Sequence, residues 1–102
     1  MLELRPTCEN CNKALPPNAP DARICTYECT FCVTCVETVL HDVCPNCGGN
    51  FQPRPIRPRQ ARREGTGLVH HPAGTRRRHT SYSREELDAF SAQLRGTPPS
   101  AR

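Results

Sequence analysis

The sequence holds little material for a hydrophobic core. Its 102 residues include no tryptophan, two tyrosines, three phenylalanines and one methionine, whereas proline occurs 11 times. No stretch approaches the roughly 18 consecutive apolar residues of a membrane-spanning helix, so no membrane association is expected. A chain of this length forms one domain, with or without a tail, and so small a core usually needs disulfides, metal ions or a partner.

Signals for export and for catalysis are also missing. The opening residues do not combine a basic segment with an apolar run, so no secretory signal is predicted and a cytoplasmic location is expected. The sequence has no serine–histidine pattern, no paired carboxylates and no glycine-rich phosphate loop, so it predicts no catalytic residue and no small-molecule substrate. The four histidines, which stand outside the cysteine spacing, are His41, His70, His71 and His79. The expectation is a protein that is not an enzyme.

Cysteine, by contrast, is abundant, with eight residues in the first half of the chain. They form four short pairs, namely Cys8/Cys11, Cys25/Cys29, Cys32/Cys35 and Cys44/Cys47. In a reducing compartment such pairs bind metal more often than they form disulfides. A disulfide framework is the alternative if an export signal was removed before Met1. Two intervening residues let both thiolates of a tight turn face one ion, about 2.3 Å from each sulfur. The pairs therefore predict two structural zinc ions, each held by four cysteines.

Spacing alone does not decide which pairs share an ion, because sequential, nested and interleaved combinations all satisfy it. Cys29 and Cys32 are only three positions apart, at most ~10 Å even in extended chain, so the two middle pairs lie close together. Each zinc–tetrathiolate carries a formal charge of −2, and placing the middle pairs on different ions separates these charges. This favours an interleaved arrangement. The first predicted site is then Cys8, Cys11, Cys32 and Cys35, and the second is Cys25, Cys29, Cys44 and Cys47.

Two other metal chemistries fit the cysteine pattern less well than structural zinc. The run Cys29-x2-Cys32-x2-Cys35 followed by Cys44-Pro45 resembles the bacterial ferredoxin pattern for an iron–sulfur cluster. That pattern needs three residues before its last cysteine, whereas eight intervene here. A catalytic zinc keeps one position open for water, but eight cysteines fill two four-coordinate sites. Structural zinc is the better interpretation.

The order of cysteine spacings, 2, 13, 3, 2, 2, 8 and 2, resembles the RING-finger cross-brace over residues 8–47. That resemblance implies a small domain with interleaved zinc sites and, less strongly, ubiquitin ligase activity. RING ligases usually carry a large aliphatic residue inside the first pair and a tryptophan near the later ligands, whereas this first pair encloses Glu9 and Asn10. The segments MLELRPTCENC, ARICTYECTFC, CVTCVETVL and CPNCGG resemble a family of short bacterial cysteine-rich proteins known only as a domain of unknown function. This second resemblance brings no activity with it.

The predicted fold is a small α+β, RING-like or treble-clef domain over residues 1–52. A hairpin is expected near Ala22–Phe31, followed by a helix over Val33–Leu40. Alternation of Leu2 and Leu4 with charged residues suggests an edge strand. One helical stripe of apolar residues is expected to face the core, and it comprises Val36, Val39, Leu40 and Val43.

The second half of the chain differs in charge. Residues 1–50 carry three basic residues against six acidic ones, a net charge of −3, and residues 51–102 carry eleven against four, a net charge of +7. Residues 53–82 are predicted to be an Arg/Pro-rich disordered linker. Two alternatives to a disordered linker remain. In the first, the basic half of the chain (the tail) lies as an arm across residues 1–50 (the head). In the second, it forms a non-specific nucleic-acid interface. The candidate phosphate-binding residues are Arg54, Arg57, Arg59, Arg62, Arg63, Arg76, Arg77 and Arg78.

A short amphipathic helix is predicted over residues 83–96. It opens with a capping box, Ser83 to Glu86, and carries an apolar stripe of Leu87, Phe90 and Leu94. The stripe would pack on the head or dock to a partner. Taken together, the sequence predicts a non-catalytic interaction or adaptor module with two structural zincs and an unknown protein partner. Nucleic-acid binding through the tail is the alternative function.

Overall fold

The computed structural model describes residues 1–102, and its sheet has three short antiparallel strands. The predicted hairpin is present as β1, Ala22–Ile24, and β2, Thr30–Cys32, with Arg23 opposite Phe31. A third strand, β3, Gln52–Pro53, pairs with the other edge of β1 and gives the order β2-β1-β3. The sequence did not predict β3. Its proline lies at a sheet edge, where a missing N–H is tolerated.

The predicted helix follows β2 directly and has two parts with different hydrogen-bond patterns. Residues Val33–Cys35 form an α-helical turn, α1, and Val36–Leu40 continue as a π-helix. The hydroxyl of Thr38 donates to the carbonyl of Thr34 at 2.6 Å, a side-chain bond of the kind that competes with the helical ladder. His41 ends the helix in the left-handed conformation, with φ 49°. The predicted apolar stripe is confirmed, because all four of its residues are buried: Val36, Val39, Leu40 and Val43.

The N-terminal edge strand is not formed. The first five residues have no regular secondary structure, and the nearest ladder contact is an isolated bridge between Thr7 and Ala14. Leu4 is nevertheless buried, at 2% exposure, and its carbonyl accepts a bond from Gly74 of the tail at 2.9 Å. The segment around Leu4 is therefore held by tail residues that lie far from it in sequence, which local alternation could not indicate.

The core is small and rich in sulfur. Fifteen buried residues form one cluster, and six of them are cysteines. Its two aromatic rings, Phe31 on β2 and Phe51 just before β3, meet edge to face with centroids 5.5 Å apart. This geometry is the one that aromatic quadrupoles favour. The core therefore combines one aromatic pair, an aliphatic stripe and two groups of thiols.

The prediction of a largely disordered tail is not supported. Arg54 is only 4% exposed, and its guanidinium donates to the carbonyls of Arg5, Leu15 and Pro16 at 2.9, 3.1 and 2.8 Å. Arg57 likewise donates to the carbonyl of Leu2 at 2.7 Å. A composition rich in proline and arginine suggested disorder because it lacks apolar side chains. Here the guanidiniums of Arg54 and Arg57 donate hydrogen bonds to backbone carbonyls of the head, and these bonds hold the segment in place of apolar contacts.

Residues 57–71, which we call the arginine loop, fold back on themselves without regular secondary structure. Leu68 N donates to Pro58 O at 2.8 Å and Val69 N donates to Arg59 O at 3.3 Å, so the two stems of the loop run side by side. Gly67 has φ +83°, and a Cβ there would lie 2.5 Å from the carbonyl oxygen of Gln60. The turn therefore depends on glycine at this position.

The C-terminal helix, α2, spans Arg84–Leu94, and its predicted capping box is present. Ser83 Oγ accepts from Glu86 N, and the Glu86 carboxylate accepts from Ser83 N. The helix packs on the head, with Leu87 buried and Ser91 Oγ donating to Leu40 O at 2.9 Å. None of the helices is both long enough and apolar enough to cross a lipid bilayer.

Candidate metal centre

The first cluster of thiols joins two distant parts of the chain. The Sγ atoms of Cys8, Cys11, Cys32 and Cys35 all lie within 4.8 Å of one another. Cys8 and Cys11 come from the first turn, Cys32 ends β2, and Cys35 ends α1. Because the helical turn α1 follows strand β2 directly, the sulfurs of Cys32 and Cys35 both lie beside the first cysteine turn. Three of the four are buried and Cys11 is exposed.

The spacing of these sulfurs fits a metal ion rather than a disulfide. Cys11 Sγ and Cys32 Sγ are 3.7 Å apart, and all eight cysteines are free thiols. A disulfide would require about 2.05 Å. A tetrahedron with metal–sulfur bonds of about 2.3 Å has edges of about 3.8 Å. The separation of Cys11 and Cys32 matches that edge.

The second cluster brings together three of its four predicted ligands. The Sγ atoms of Cys25, Cys44 and Cys47 lie within 4.8 Å of one another, and Cys29 Sγ falls outside this mutual limit. Cys29 is nevertheless close, because Cys25 N donates to Cys29 O at 3.2 Å and the amide of Asn46 donates to Cys29 Sγ at 3.4 Å. The structure therefore gives two groups that could hold metal ions, one of four sulfurs and one of three with a fourth beside it.

Backbone N–H groups point at sulfurs in or beside three of the four cysteine turns. Cys11 N donates to Cys8 Sγ at 3.5 Å, Tyr27 N to Cys25 Sγ at 3.3 Å and Gly49 N to Cys47 Sγ at 3.4 Å. Such bonds favour thiolate over thiol, because they stabilise the charged form.

The residues that follow two of the turns are left-handed. Asn12, after Cys11, has φ 65°, and Gly48, after Cys47, has φ 79°. Asparagine and glycine tolerate this conformation better than other residues do.

Two asparagines connect the turns within each cluster. Asn10 lies inside the first pair, and its side-chain amide donates to Cys35 Sγ at 3.3 Å. Asn46 lies inside the last pair and donates to Cys29 Sγ at 3.4 Å. Each asparagine thus bonds the sulfur of the opposite turn, as outer-shell donors around metal ligands commonly do. Sequence reasoning missed this role, although the shared pattern Cys-x-Asn-Cys was its signal.

Crowding and burial push the thiol pKa values apart. Burial raises the pKa of Cys8 and of Cys35. The neighbouring thiols of Cys25 and Cys29 raise the pKa of Cys44, and hydrogen bonds from Cys29 and Cys44 lower the pKa of Cys25 to about 3. Adjacent sulfurs thus share protons instead of all ionising together. A bound cation displaces those protons and supplies the positive charge that four thiolates require.

Glu9, which the first turn also encloses, serves the fold. Its carboxylate is 4% exposed and accepts from Thr30 N of β2 and from Arg5 Nη1, the latter at 2.8 Å. The bond to Glu9 and a further bond to Glu3 raise the pKa of Arg5 against the opposing effect of its burial. This buried ion pair fixes the opening turn against the sheet. Its position is where RING ligases usually carry a large aliphatic residue.

The histidines take no part in either cluster, since both groups consist of cysteines alone. His41 is exposed at the end of the π-helix, and the ring of His71 contacts the carbonyl of Gly65 in the arginine loop. An all-sulfur donor set suits zinc or iron and leaves the first cluster without an open position. The arrangement can hold a fold together.

The predicted phosphate-binding arginines divide into two groups. Arg54 and Arg57 donate to head carbonyls, and Arg78 pairs with Glu3 at 3.1 Å. The others are exposed, and their side chains make no hydrogen bond or ion pair: Arg59, Arg62, Arg63, Arg76 and Arg77. Only this second group is available to a partner.

Comparison with known proteins agrees with the resemblance noted in the cysteine segments. The family model described as protein of unknown function (DUF1272) matches residues 1–57. The uncharacterized protein R02474 of Rhizobium meliloti (strain 1021) is 52% identical over 77 residues, covering 76% of this chain and 84% of that protein. This similarity is longer than the family match, so it extends into the second half of the chain. No solved structure matches. Because the family model matches more than half of its residues, the chain belongs to the DUF1272 family.

Proposed function

We propose that this protein is a non-catalytic interaction module whose fold is held by two structural zinc ions. The observation that carries the proposal is the first cluster, in which four sulfurs from three elements converge within 4.8 Å. Ordering a chain of this size costs roughly 1–2 kcal/mol per residue in backbone entropy, which the small apolar core can hardly offset. A structural zinc contributes an apparent free energy of about 10–16 kcal/mol in small peptides.

Zinc is preferred to iron because of the donor set and its local geometry. Four thiolates in a tetrahedral arrangement suit zinc or iron–sulfur centres. The cysteines come as separate tight turns with N–H···S bonds, the usual form of zinc knuckles, and the ferredoxin spacing is not met. For the second ion we propose Cys25, Cys29, Cys44 and Cys47. The hydrogen bond from Asn46 already holds Cys29 at the edge of that cluster.

A structural rather than catalytic role follows from how the ligands are used. Four protein sulfurs fill a tetrahedral ion, and three of the four in the first cluster are buried. The proposed sites alternate along the chain, as in a RING-like cross-brace. Ligase activity is less favoured, because Glu9 and Asn10 inside the first turn are engaged with Arg5 and Cys35 instead of presenting an apolar surface.

The experiment is metal analysis joined to native mass spectrometry on protein purified without added metal. We expect two zinc ions per chain, and loss of ordered structure by circular dichroism when a strong chelator removes them. Cys35→Ser and Cys44→Ser variants disable one cluster each and should leave about one zinc. Exposed Ser100→Cys serves as a control that changes sulfur content without touching either cluster. An iron-loaded chain, or a fold that survives complete metal removal, would contradict the proposal.

A further inference from the structure

The five free arginines lie on backbone that is fixed to the head at several points. Arg57 Nη1 donates to His71 O at 2.7 Å, so the first and last residues of the arginine loop are tied together. Beyond the loop, Gly74 N bonds Leu4 O and Thr80 N bonds Glu9 O, at 2.9 and 2.7 Å. Arg76 and Arg77 lie between these last two anchors. The guanidiniums are therefore displayed by ordered backbone.

Charge on this surface is strongly one-sided. Arg59, Arg62 and Arg63 belong to the arginine loop, whose one acidic residue is Glu64. The intramolecular ion pairs of the tail use Arg78 and Arg84, and none uses the five free arginines. Unpaired guanidiniums at a protein surface attract anions, and they present planar donors that fit phosphate oxygens.

We propose that these five arginines bind the phosphodiester backbone of nucleic acid. The inference deepens the interaction role proposed above, on which it rests, by naming a class of partner. Three of these arginines lie on the loop and two on the segment that follows it, and a polyanion with regularly spaced charges can contact several exposed guanidiniums at once. Because each anchor is already formed, less conformational entropy is lost on binding than for a disordered arm.

The same surface predicts weak sequence selectivity. The arginine loop contains no phenylalanine, tyrosine or tryptophan, and of its two imidazole rings that of His71 is engaged with the carbonyl of Gly65, so it offers no large ring on which a base could stack. Phosphate contacts position a protein on nucleic acid but do not read bases. An anionic membrane is the less favoured partner. The exposed large apolar residues within and beside the loop are only Ile56 and Val69, too few for stable insertion.

The test uses zinc-loaded full-length protein and fluorescence anisotropy with a random 20-base-pair duplex and a single strand of the same length. Titrations between 50 and 300 mM salt should give a slope of log K against log salt of about −4.5 on the duplex if all five arginines bind phosphate, since each neutralised phosphate contributes about −0.9. The triple variant R59A/R62A/R63A should reduce that slope by about 2 to 3 and weaken binding at 50 mM salt by about tenfold or more.

The matched control is R84A/R95A, which removes two positive charges from α2 and its C-terminal cap, whereas R76A/R77A removes two from the proposed surface. We expect R76A/R77A to lower the slope by about 2 and R84A/R95A to leave it nearly unchanged. Equal losses in both double variants would overturn the proposal, because they would indicate only net charge.

Two further outcomes would also overturn it. One is the absence of duplex and single-strand binding by the wild type at 50 mM salt. The other is binding to vesicles containing phosphatidylserine with none to nucleic acid. Zinc content is measured by native mass spectrometry on every sample. A protein with two zincs and no nucleic-acid binding refutes this inference alone, whereas a protein without zinc refutes the proposed function.

Discussion

Arg54 offers a direct test of how the second half of the chain is held. Its guanidinium is buried and donates to three carbonyls of residues 5–16, with no carboxylate within ion-pair distance. Burial lowers the pKa of Arg54, so the charge is kept at a cost that the carbonyl bonds must offset. Replacing it with alanine removes those three bonds together.

The expected loss in the free energy of unfolding follows from how deeply the three acceptor carbonyls are buried. The bond to Leu15 O is fully buried, and an unsatisfied carbonyl there costs about 1–3 kcal/mol. The bonds to Arg5 O and Pro16 O are partly buried, so water can replace the lost donor and each costs about 0.5–1.5 kcal/mol. Removing the buried guanidinium also removes the cost of its desolvation, which offsets part of this loss of stability. We expect Arg54→Ala to lower the free energy of unfolding by about 2–4 kcal/mol.

The assay is urea unfolding followed by circular dichroism at a fixed free zinc concentration, because bound metal adds to apparent stability. Arg59→Ala is the matched control, since its side chain is exposed and makes no contact, and it should change stability by less than about 0.5 kcal/mol. Arg54→Lys keeps the charge but not the planar fork, and should lose about half as much as alanine. If Arg54→Ala and Arg59→Ala unfolded at the same urea concentration, the tail would not be fixed as described.

The remaining predictions concern the metal turns and the C-terminal helix. Asn10→Ala should weaken zinc binding at the first cluster, and Asn46→Ala should weaken it at the second. Each affinity should fall by about 10- to 100-fold in competition with a chromophoric chelator. An equal effect of either substitution on both ions would contradict the assignment. Gly48→Ala should cost about 1–3 kcal/mol in urea unfolding, because φ is +79° and the new Cβ would lie 3.2 Å from a side-chain carbon of α2. Gly96→Ala, whose Cβ would meet nothing within 4 Å, is its control, and similar losses for both would refute the reasoning. Ser91→Ala should destabilise by about 0.5–1.5 kcal/mol, because it removes one of the two donors to the buried Leu40 carbonyl, which keeps its bond from Val43 N, and no change on thermal unfolding would show that α2 does not dock there.

Local patterns predicted the elements whose causes are local. The hairpin, the helix after β2 and the capping box of α2 each depend on residues a few positions apart, and each is present. Cysteine spacing likewise indicated which thiols share a turn, because a two-residue turn constrains both at once, and the separation of the two ions' charges favoured the turns that converge in the first cluster. Cys29 Sγ lies outside the mutual 4.8 Å limit of the second cluster, and its pair encloses three residues, a longer turn that constrains it less.

Features that depend on distant residues were missed. β3 is two residues long and contains Pro53, so it has no periodic pattern of its own and exists only by pairing with β1. The order of residues 53–82 was missed for a different reason. Composition measures the lack of apolar side chains, but it does not register that Arg54 and Arg57 can hold a segment by reaching carbonyls about 40 to 55 positions away. A buried arginine bonded to backbone looks the same in sequence as a solvated one.

The anchoring of the arginine loop on both sides implies that the protein could be divided into two polypeptides. A break between Arg62 and Arg63, both exposed at the tip of the loop, separates residues 1–62 from residues 63–102. Across that break the pieces still share the bonds Thr80 N to Glu9 O and Ser91 Oγ to Leu40 O. Separately expressed pieces should reassociate once zinc has folded the first of them, and a trypsin cut at this tip need not release either fragment.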